Sequence, residues 1–427
     1  MRNIYLIVAS ITNNYLGNYW FSFLISSMLY DIPNYILLNE LGEGAFSRVY
    51  FAEHSILHLP VAIKIIDKSI YQSEVDTKNL IREISIHKKI ECNNIARLFE
   101  SFEDNNHVFI VMQSANNGTL KNFMDGCLCH LSEDQGRKYF IQIMKGLDYL
   151  HNNIHIIHRD LKLENILLDD NYNVLISDFG FSSTFDPKIA NHMTACGSPA
   201  YVAPEVFLRE PYSSSSDIYS VGVILYYMTV GTLPFVDTNI PKLFDKILHE
   251  PVNFPGFISE ELCDLLGKML EKDWKKRITI DKIFAHPWVT DNKCQEIERW
   301  VQDNMFFVDN QFVIDDQIVN KLASITNTNK DTIIESIKKS KFDHLHGMYR
   351  ILVLNEHTRK NIPKKKVPIQ RSEISLRMAP RRRVIMPSKT FAQVHILKTK
   401  STNNPLKYKS LNTPIITPYL NIKHMLE

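Results

Sequence analysis

Long hydrophobic runs are missing from the start of the sequence. Two apolar pieces lie within residues 1–30, but polar residues 12–14 and Asn18 separate them. Neither piece reaches the roughly 20 apolar residues that a membrane-spanning helix needs. We interpret residues 1–27 as the product of a misassigned start, with Met28 as a natural first residue, or as a loosely packed flap. A signal peptide and a membrane anchor are the alternatives.

Paired cysteine motifs are also missing. Six cysteines are dispersed along the chain, and the close pair Cys127 and Cys129 has no matching second pair. This spacing argues against a zinc site, which draws its ligands from two such pairs or from histidines at fixed spacing. We therefore predict free thiols in a reducing compartment and a cytoplasmic location.

The net charge of +2 conceals an uneven distribution. From Arg359 onward there are sixteen Lys or Arg and two acids, so the preceding chain has 33 basic and 45 acidic residues. No apolar period is sustained in residues 358–427, and we predict a disordered, solvated tail. Contact of this basic tail with an acidic surface of the protein itself, with anionic lipid or with nucleic acid is the alternative. We expect no nucleic-acid function.

The rest of the composition is that of a soluble globular protein, with 44% hydrophobic and 22% charged residues. Residues 35–66 alternate apolar and polar positions around glycines, which predicts three antiparallel strands. A helix is predicted over residues 77–91 and a hairpin over residues 95–114, with residues 103–106 at its tip. The first lobe should therefore be mostly sheet with one helix.

Helical patterns dominate after residue 120. Ser132 and Gln135 form a predicted capping box, and an apolar helical stripe follows them. Its residues are Tyr139, Phe140, Ile143, Met144, Leu147 and Leu150. Further helices are predicted around residues 216–231, 259–271 and 279–287, and this second lobe ends near Val289.

Three short helical segments follow in residues 313–357 and predict a small three-helix module. Their expected apolar faces comprise Ile318, Val319 and Leu322, then Ile333, Ile334 and Ile337, then Met348, Ile351 and Leu352. A module of this size has too small a core to be very stable alone. The predicted organisation is an N-terminal extension (1–34), a two-lobed domain (35–289), the module and the basic tail (358–427).

The turn between the first two strands is rich in glycine. Such a turn lets backbone N–H groups close over phosphate oxygens, because no Cβ stands in the way. The third position of a G-x-G-x-x-G pattern is Ser47, so the fingerprint is incomplete, and alone it fits a plain hairpin as well. The candidate phosphate-covering residues are Leu41, Gly42, Glu43, Gly44, Ala45, Phe46, Ser47, Arg48 and Val49.

Lys64 lies in an apolar strand, where an ammonium group needs an anionic partner. Glu83 on the following helix can supply that carboxylate, which would leave the lysine to hold phosphate oxygens. The alternative is that the lysine side chain extends to the surface.

The stretch "IIHRDLKLENILLDD", residues 156–170, places many polar groups between apolar ones. Asp160 can accept a proton from an attacking hydroxyl, and Lys162 can offset charge on a transferred group. The side-chain oxygen of Asn165 can bind a hard cation such as Mg²⁺ together with Asp178. Phosphoryl transfer needs this combination of positioning and charge neutralisation.

Five motifs then occur in the order and spacing of the eukaryotic protein kinases: "GEGAFSRV", "VAIK", "HRDLKLEN", "DFG" and "APE". Residues 35–289 resemble that family. The resemblance implies the bilobal α+β kinase fold, with a small β-rich lobe and a large helical lobe. It implies Mg²⁺ and ATP as cofactors, and protein substrates phosphorylated on Ser or Thr, since Lys162 is typical of serine/threonine kinases.

The resemblance also implies roles for individual residues. Lys64, Glu83, Asp160, Lys162 and Asn165 correspond to the catalytic set, and Asn165 and Asp178 to the metal ligands. Asp217 corresponds to the aspartate that binds the catalytic-loop backbone, and Glu205 pairs with Arg277. The residues matching the adenine pocket are Ala62, Met112, Gln113 and Ala115.

The motif "CGSPAY" (residues 196–201) resembles that of the calcium/calmodulin-kinase-like group, particularly its AMP-activated-kinase-related branch. There Thr194 matches the activating threonine, which an upstream kinase would phosphorylate. Its phosphate would seek the guanidinium of Arg159 and order the loop. The alternative is an unmodified loop residue. The module resembles the ubiquitin-associated-like domain of that branch, which implies intramolecular regulation.

Four positions depart from the family pattern. Ser47 replaces a glycine, Thr119 stands where relatives often have glutamate, and Tyr219 replaces a usual tryptophan. His87 lies where most relatives have an apolar residue that stacks on Phe179. We interpret His87 as a neutral core histidine, and pH-sensitive placement of its helix is the alternative.

Two other functions remain open from the sequence. One is a catalytically silent scaffold with the kinase fold, although such scaffolds usually lose the equivalents of Lys64, Asp160 or Asp178. The other is a signalling protein tethered to a membrane through residues 1–27 and the tail. Calmodulin binding is not predicted, because no basic amphipathic helix directly follows Val289.

Overall fold

The computed structural model describes most of the chain between residues 30 and 360. The described residues are 30, 32–43, 47–70, 74–126, 130–179, 183–184, 199–208, 210, 213–290 and 314–360. They belong to one structural unit, which ends at Asn361. The predictions for residues 1–27, residues 44–46, Thr194 and the tail beyond residue 360 lie outside the described residues.

A five-stranded antiparallel sheet forms the first lobe, called here the sheet lobe (residues 35–112). The strand order β1-β2-β3-β5-β4 places β4 at one edge of the sheet. Val61, Ala62 and Ile63 are buried in β3, so the partly buried Lys64 follows a fully apolar segment. The strands are β1 (Tyr35–Glu43), β2 (Ser47–His54), β3 (Pro60–Asp67), β4 (Leu98–Glu103) and β5 (His107–Met112).

One helix, α1 (Glu74–His87), connects β3 to β4. It begins three residues before the predicted start and ends four residues before the predicted end. Ile90 is fully buried in the core of the second lobe, so the chain leaves the helical path soon after His87. Helix boundaries depend on such tertiary contacts, which a periodic pattern does not contain.

The second lobe, called the helical lobe (residues 120–290), contains a single large hydrophobic core. Its described helices are α2 (Leu120–Gly126), α3 (Glu133–Asp148), α4 (Pro204–Phe207), α5 (Ser214–Val230), α6 (Ile240–His249), α7 (Glu260–Met269), α8 (Ile280–Phe284) and α9 (Pro287–Thr290). The short strands β6 (Ile156–Ile157) and β9 (Ser183–Thr184) pair with each other, as do β7 (Ile166–Leu168) and β8 (Val174–Ile176).

Helix α3 begins as the sequence predicts. The Ser132 side chain accepts a hydrogen bond from the Gln135 backbone, and the Gln135 side chain accepts one from the Ser132 backbone. This capping box satisfies two of the N–H groups that a helix start leaves unpaired. Helix α5 is buried along most of its length, so it forms the centre of the helical lobe.

The C-terminal module (residues 314–360) has three helices, α10 (Asp316–Thr326), α11 (Lys330–Lys338) and α12 (His344–Lys360). Asp315 and Asn329 cap the starts of the first two with side-chain hydrogen bonds. The module core comprises Ile318, Val319, Leu322, Ile333, Ile337, Met348, Tyr349 and Leu352. Ile351, expected on the same face, packs instead in the core of the sheet lobe.

The predicted fold class is confirmed, since a β-rich lobe, a larger helical lobe and a three-helix module follow one another along the chain. Helices α2, α4, α6 and α9 were not predicted. None of the helices in the described ranges is both long and apolar enough to span a bilayer.

Candidate active site

The catalytic loop, residues 158–165, follows β6. Asp217 of α5 holds its backbone in place. The backbone N–H groups of His158 and Arg159 donate to the Asp217 carboxylate at 2.8 and 2.9 Å. Nε2 of His151 lies 2.8 Å from the same carboxylate. Burial alone would raise the pKa of Asp217, but these hydrogen bonds and nearby histidines lower it. The ionised carboxylate fixes the loop, with Arg159 at a left-handed φ of 71°.

Asp160 is the centre of the loop. Its carboxylate Oδ2 accepts hydrogen bonds from Lys162 Nζ at 2.6 Å and from Asn165 Nδ2 at 3.0 Å. Asn165 Nδ2 also donates to the Asp160 carbonyl at 2.7 Å. The second oxygen, Oδ1, is buried and has no hydrogen-bond partner among the described residues. A buried carboxylate oxygen without a donor is costly, so this atom is ready to accept a hydrogen bond from a bound hydroxyl.

The ion pair that the sequence suggested between Lys64 and Glu83 is present, with Nζ 2.9 Å from the glutamate. Nζ also lies 3.3 Å from the Asp178 carboxylate. Burial by itself would lower the pKa of Lys64, but the charges of Glu83 and Asp178 outweigh burial and raise it. The lysine is therefore a permanent cation on the cleft side of β3, beside Asp178.

A cluster of three rings supports Asp178 from the core side. The ring of Phe179, 2% exposed, lies with its centroid 5.1 Å from that of His87 and 5.2 Å from that of His158. Asp178 itself has a left-handed φ of 66°. The Phe179 ring is buried in the core. The backbone therefore turns at Asp178, which directs the Asp178 carboxylate towards Lys64.

His87 behaves as a core residue. Its Nε2 lies 2.7 Å from the Ala96 carbonyl, and burial lowers its pKa to about 4. A histidine with this pKa stays neutral between pH 6 and 8. The structure thus favours the neutral core histidine over a pH-dependent placement of α1 in that range.

Asn165 and Asp178 are brought together by the residue between their segments. Ser177 donates to the Asn165 carbonyl through its backbone at 2.9 Å and through Oγ at 3.0 Å. The amide nitrogen of Asn165 is occupied by Asp160, which leaves the amide oxygen to face a ligand. No group of three His, Cys, Asp or Glu in the described part of the chain could hold a metal by itself. These two oxygen donors fit Mg²⁺, which takes its other ligands from phosphates and water.

The candidate nucleotide pocket lies between β1–β3 and the connection after β5. Leu41 of β1 is 52% exposed, while Ala62 is buried and pairs with Met112 across the sheet. Gln113 donates its N–H to Arg97 at 2.8 Å. Within the described residues, the Gln113 carbonyl and the Ala115 N–H form no backbone hydrogen bond. The exposed apolar side chain of Leu41 could cover one face of a planar base. The Ala115 N–H and the Gln113 carbonyl could form hydrogen bonds with its edge.

The predicted turn residues lie on β1 and β2, except residues 44–46, which are outside the described residues. Gly42 pairs with Val49, and Glu43 pairs with Arg48 through both the strand register and an ion pair of 3.0 Å. Ser47 begins β2. These pairings place the two strands of the turn over the Lys64 side of the cleft, because β2 also pairs with β3.

The family-implied pair Glu205–Arg277 is present and bidentate, at 2.7 and 2.9 Å, with both side chains buried. Ser216 Oγ donates to the same carboxylate at 2.7 Å. The Arg277 guanidinium lies 5.1 Å from the ring centroid of Tyr219. The tyrosine that departs from the family pattern therefore packs on this ion pair.

Three functional residues were missed by the sequence reasoning: His151, Ser177 and Leu167. The first two act through hydrogen bonds between distant segments, for which the sequence holds no local signal. Leu167 is partly exposed between the buried Ile166 and Leu168, and it pairs with Thr119 just after the hinge. In the sequence residues 166–168 are all apolar, so no pattern there distinguished Leu167.

Comparison with known proteins gives a family match over the two lobes. The model of the protein kinase domain matches residues 35–289. Mouse serine/threonine-protein kinase SIK1 is 35% identical over 76% of this chain and 41% of its own length. The SNF1-related protein kinase catalytic subunit alpha KIN12 of Arabidopsis thaliana is 40% identical over 60% of this chain and 51% of its own.

Serine/threonine-protein kinase PLK4 of Drosophila sechellia is 34% identical over 60% of this chain and 33% of its own length. The SIK1 alignment covers more of the chain than residues 35–289, so that similarity extends beyond the two lobes. The chain spans about two fifths of the length of this relative.

Proposed function

Since this chain belongs to the protein kinase family, we propose that it is a serine/threonine kinase that transfers the γ-phosphate of Mg-ATP to hydroxyls of protein substrates. The observation that carries the proposal is the unpartnered, buried Oδ1 of Asp160. The other oxygen of the same carboxylate already accepts hydrogen bonds from Lys162 and Asn165. The AMP-activated-kinase-related branch is supported by the similarity to SIK1 and to the SNF1-related kinase.

Each residue of the site has one task in this reaction. Asp160 Oδ1 orients the substrate hydroxyl and accepts its proton as the new O–P bond forms and the bond to the ADP oxygen breaks. Lys162, 2.6 Å from Oδ2, offsets the charge on Asp160 and on the transferred group. Lys64 holds phosphate oxygens, positioned by Glu83. Bound Mg²⁺ would neutralise phosphate charge, with Asn165 and Asp178 as its protein ligands.

A catalytically silent scaffold is the second candidate function. Such a protein would bind nucleotide or partners without transfer. Two observations support the enzyme over the scaffold. The Lys64–Glu83 ion pair is intact, and the Phe179 ring is buried. Both are arranged to position phosphate-binding groups.

We further propose that phosphorylation of Thr194 by an upstream kinase activates the enzyme, with Arg159 as the phosphate partner. Arg159 is buried and anchored next to Asp160 through its backbone bond to Asp217. A loop phosphate bound there would be coupled directly to the catalytic loop.

Intramolecular regulation by the C-terminal module is part of the same proposal. Helix α12 packs along the edge strand β4, and Arg350 forms an ion pair with Glu91 of the sheet lobe. A cytoplasmic location is supported by the free thiols of Cys92 and Cys263.

The test measures phosphate transfer to a generic basic protein with the full chain. We expect transfer by the wild type and a loss of roughly 100-fold or more in Asp160→Asn and Asp178→Asn, since general-base and metal-ligand groups contribute factors of this order. Asp281→Asn, at an exposed position of α8, is the matched control and should keep full activity. Equal transfer by wild type and both site variants would refute the catalytic assignment.

A further inference from the structure

Phe342 belongs to the connection between α11 and α12 of the module, yet its ring packs in the sheet lobe. The side chain is 5% exposed. It shares a hydrophobic cluster with residues of β3, β4, β5 and α1, distinct from the module's own core. The cluster members from the sheet lobe are Ile66, Leu80, Leu98, Val108 and Ile110, with Ile84 and Met112 at its border.

This cluster includes the α1 side chains on either side of Glu83. Leu80 and Ile84 contribute the α1 side of the cluster. Helical residues three or four apart share one face, so Leu80, Glu83 and Ile84 all face the sheet. The ring of Phe342 therefore packs on the same helix face that presents Glu83 to Lys64.

Few apolar side chains are buried in the described part of helix α1. Among its described side chains, the buried ones are Leu80, Ile86 and His87. Ile86 and His87 lie in the last turn, so among these described side chains Leu80 is the buried one of the earlier turns. Phe342 belongs to the same cluster as Leu80, so removal of the ring would leave a cavity in that cluster.

Polar contacts hold Phe342 in place. Its carbonyl accepts from the Ser101 N–H of edge strand β4 at 3.3 Å, and its own N–H donates to His346 Nδ1 at 3.2 Å. Lys88 Nζ lies 5.4 Å and Arg350 Cζ 5.0 Å from the ring centroid. The backbone has a left-handed φ of 51°, a conformation that non-glycine residues retain only where surroundings fix it.

We propose that Phe342 is a positioning residue of the active site. Its ring, supplied by the module, fills the pocket behind α1 and holds Glu83 against Lys64. This inference rests on the proposed kinase function for its activity readout. Undocking of the module withdraws the ring, α1 shifts away from the sheet, and Lys64 loses its partner while the catalytic loop stays intact.

The test compares Phe342→Ala with Phe342→Leu in the full chain. We expect Phe342→Ala to lower kcat/KM for ATP by about tenfold or more, and Phe342→Leu to restore most of the loss because it refills the pocket. Ile333→Val, which removes one methyl group from the module core, is the matched control and should keep wild-type kinetics. Amide exchange in α1 should rise in Phe342→Ala alone.

A double-mutant cycle separates positioning from general stabilisation. If Phe342 acts through Glu83, Phe342→Ala should change the Mg-ATP Kd in a Glu83→Gln background by less than about twofold. Unchanged α1 exchange and an unchanged Kd in Phe342→Ala would overturn the inference. A wild-type chain that transfers no phosphate would refute the proposed function, whereas the exchange and Kd measurements would still decide the role of Phe342.

Discussion

At the scale of single residues, most buried charges in the described parts of the two lobes have a hydrogen-bonded or oppositely charged partner. Lys64 has Glu83 and Asp178, Asp217 has His151 and two backbone N–H groups, and Glu205 has Arg277. Removing one member of such a pair leaves the other buried and unpaired, which costs more than the pair itself contributes. These residues are therefore structural conditions for the site as well as parts of it.

The Glu205–Arg277 pair gives the sharpest test of this principle. We expect Glu205→Gln to lower the free energy of unfolding by about 3 kcal/mol or more, because the side chains are 1% and 0% exposed. Urea denaturation followed by fluorescence measures the change. The matched control is Lys339→Met, which breaks an exposed ion pair on α11 and should leave the urea midpoint unchanged. A midpoint for Glu205→Gln equal to that of the control would contradict the argument.

At the scale of elements, close packing between α3 and β8 positions the residues before Asp178. A Cβ added at Gly146 of α3 would lie 2.7 Å from Ile176 Cδ1 and 3.2 Å from the Asn94 carbonyl oxygen. That carbonyl accepts the Ile176 N–H at 2.8 Å. The absence of a side chain at Gly146 thus lets β8 approach the helix.

Two helical glycines should respond to alanine in opposite directions. Gly146→Ala should destabilise the protein by about 1–3 kcal/mol, since the methyl group overpacks a filled site. Gly267→Ala in α7 meets nothing within 4 Å and should stabilise it by about 0.5–1 kcal/mol through helix propensity. Urea midpoints of the two variants measure both effects. A stabilising Gly146→Ala would show that β8 is not held as closely as described.

The sequence predicted the elements whose signals are local. In strand β3 only apolar residues precede Lys64. The capping box of Ser132 and Gln135 marks the start of α3. Helix α6 was missed although Asn239 caps it and Leu243 and Ile247 form its buried stripe. That signal was present in the sequence. Helix α2 is only seven residues long, and its pattern is too short to distinguish from a loop.

The residues of the site could be predicted because kinase motifs are contiguous, whereas their mutual support could not. The motifs "HRDLKLEN" and "DFG" contain Asp160, Asn165 and Asp178. The hydrogen bonds of Ser177 to Asn165 and of His151 to Asp217 join segments through the fold. Phe342 has no motif at all, and its place behind α1 depends on how the module docks.

At the scale of the whole molecule, the module and the sheet lobe share a buried polar cluster. The Tyr35 hydroxyl and the Glu100 carboxylate are hydrogen-bonded, and His344 of α12 lies 3.5 Å from that carboxylate. The rings of His344 and His54 stack with centroids 5.1 Å apart. Ile351 adds an apolar contact in the lobe core. The module is therefore a continuation of the sheet lobe rather than an appendage beside it.

This half of the molecule should be sensitive to acid. Burial lowers the pKa of His54, His87 and His346 to about 4, from a value of 6.5 in the unfolded chain. The unfolded chain therefore binds protons first as the pH falls, and stability decreases between pH 6.5 and 4. His87 alone should account for about 2 kcal/mol between pH 7.5 and pH 5. Urea midpoints at the two pH values measure the loss.

The variant His87→Leu isolates one contribution. Its stability should fall by about 2 kcal/mol less than that of the wild type between pH 7.5 and pH 5, because leucine binds no proton. Its phosphate transfer should show the wild-type pH profile between pH 6 and 8, where His87 is already neutral. His249→Leu, at an exposed histidine of α6, should reproduce the wild-type acid sensitivity. If His87→Leu and the wild type lost the same stability between the two pH values, His87 would bind its proton equally well in the folded and the unfolded chain. Burial against Phe179 would then not lower the pKa of His87.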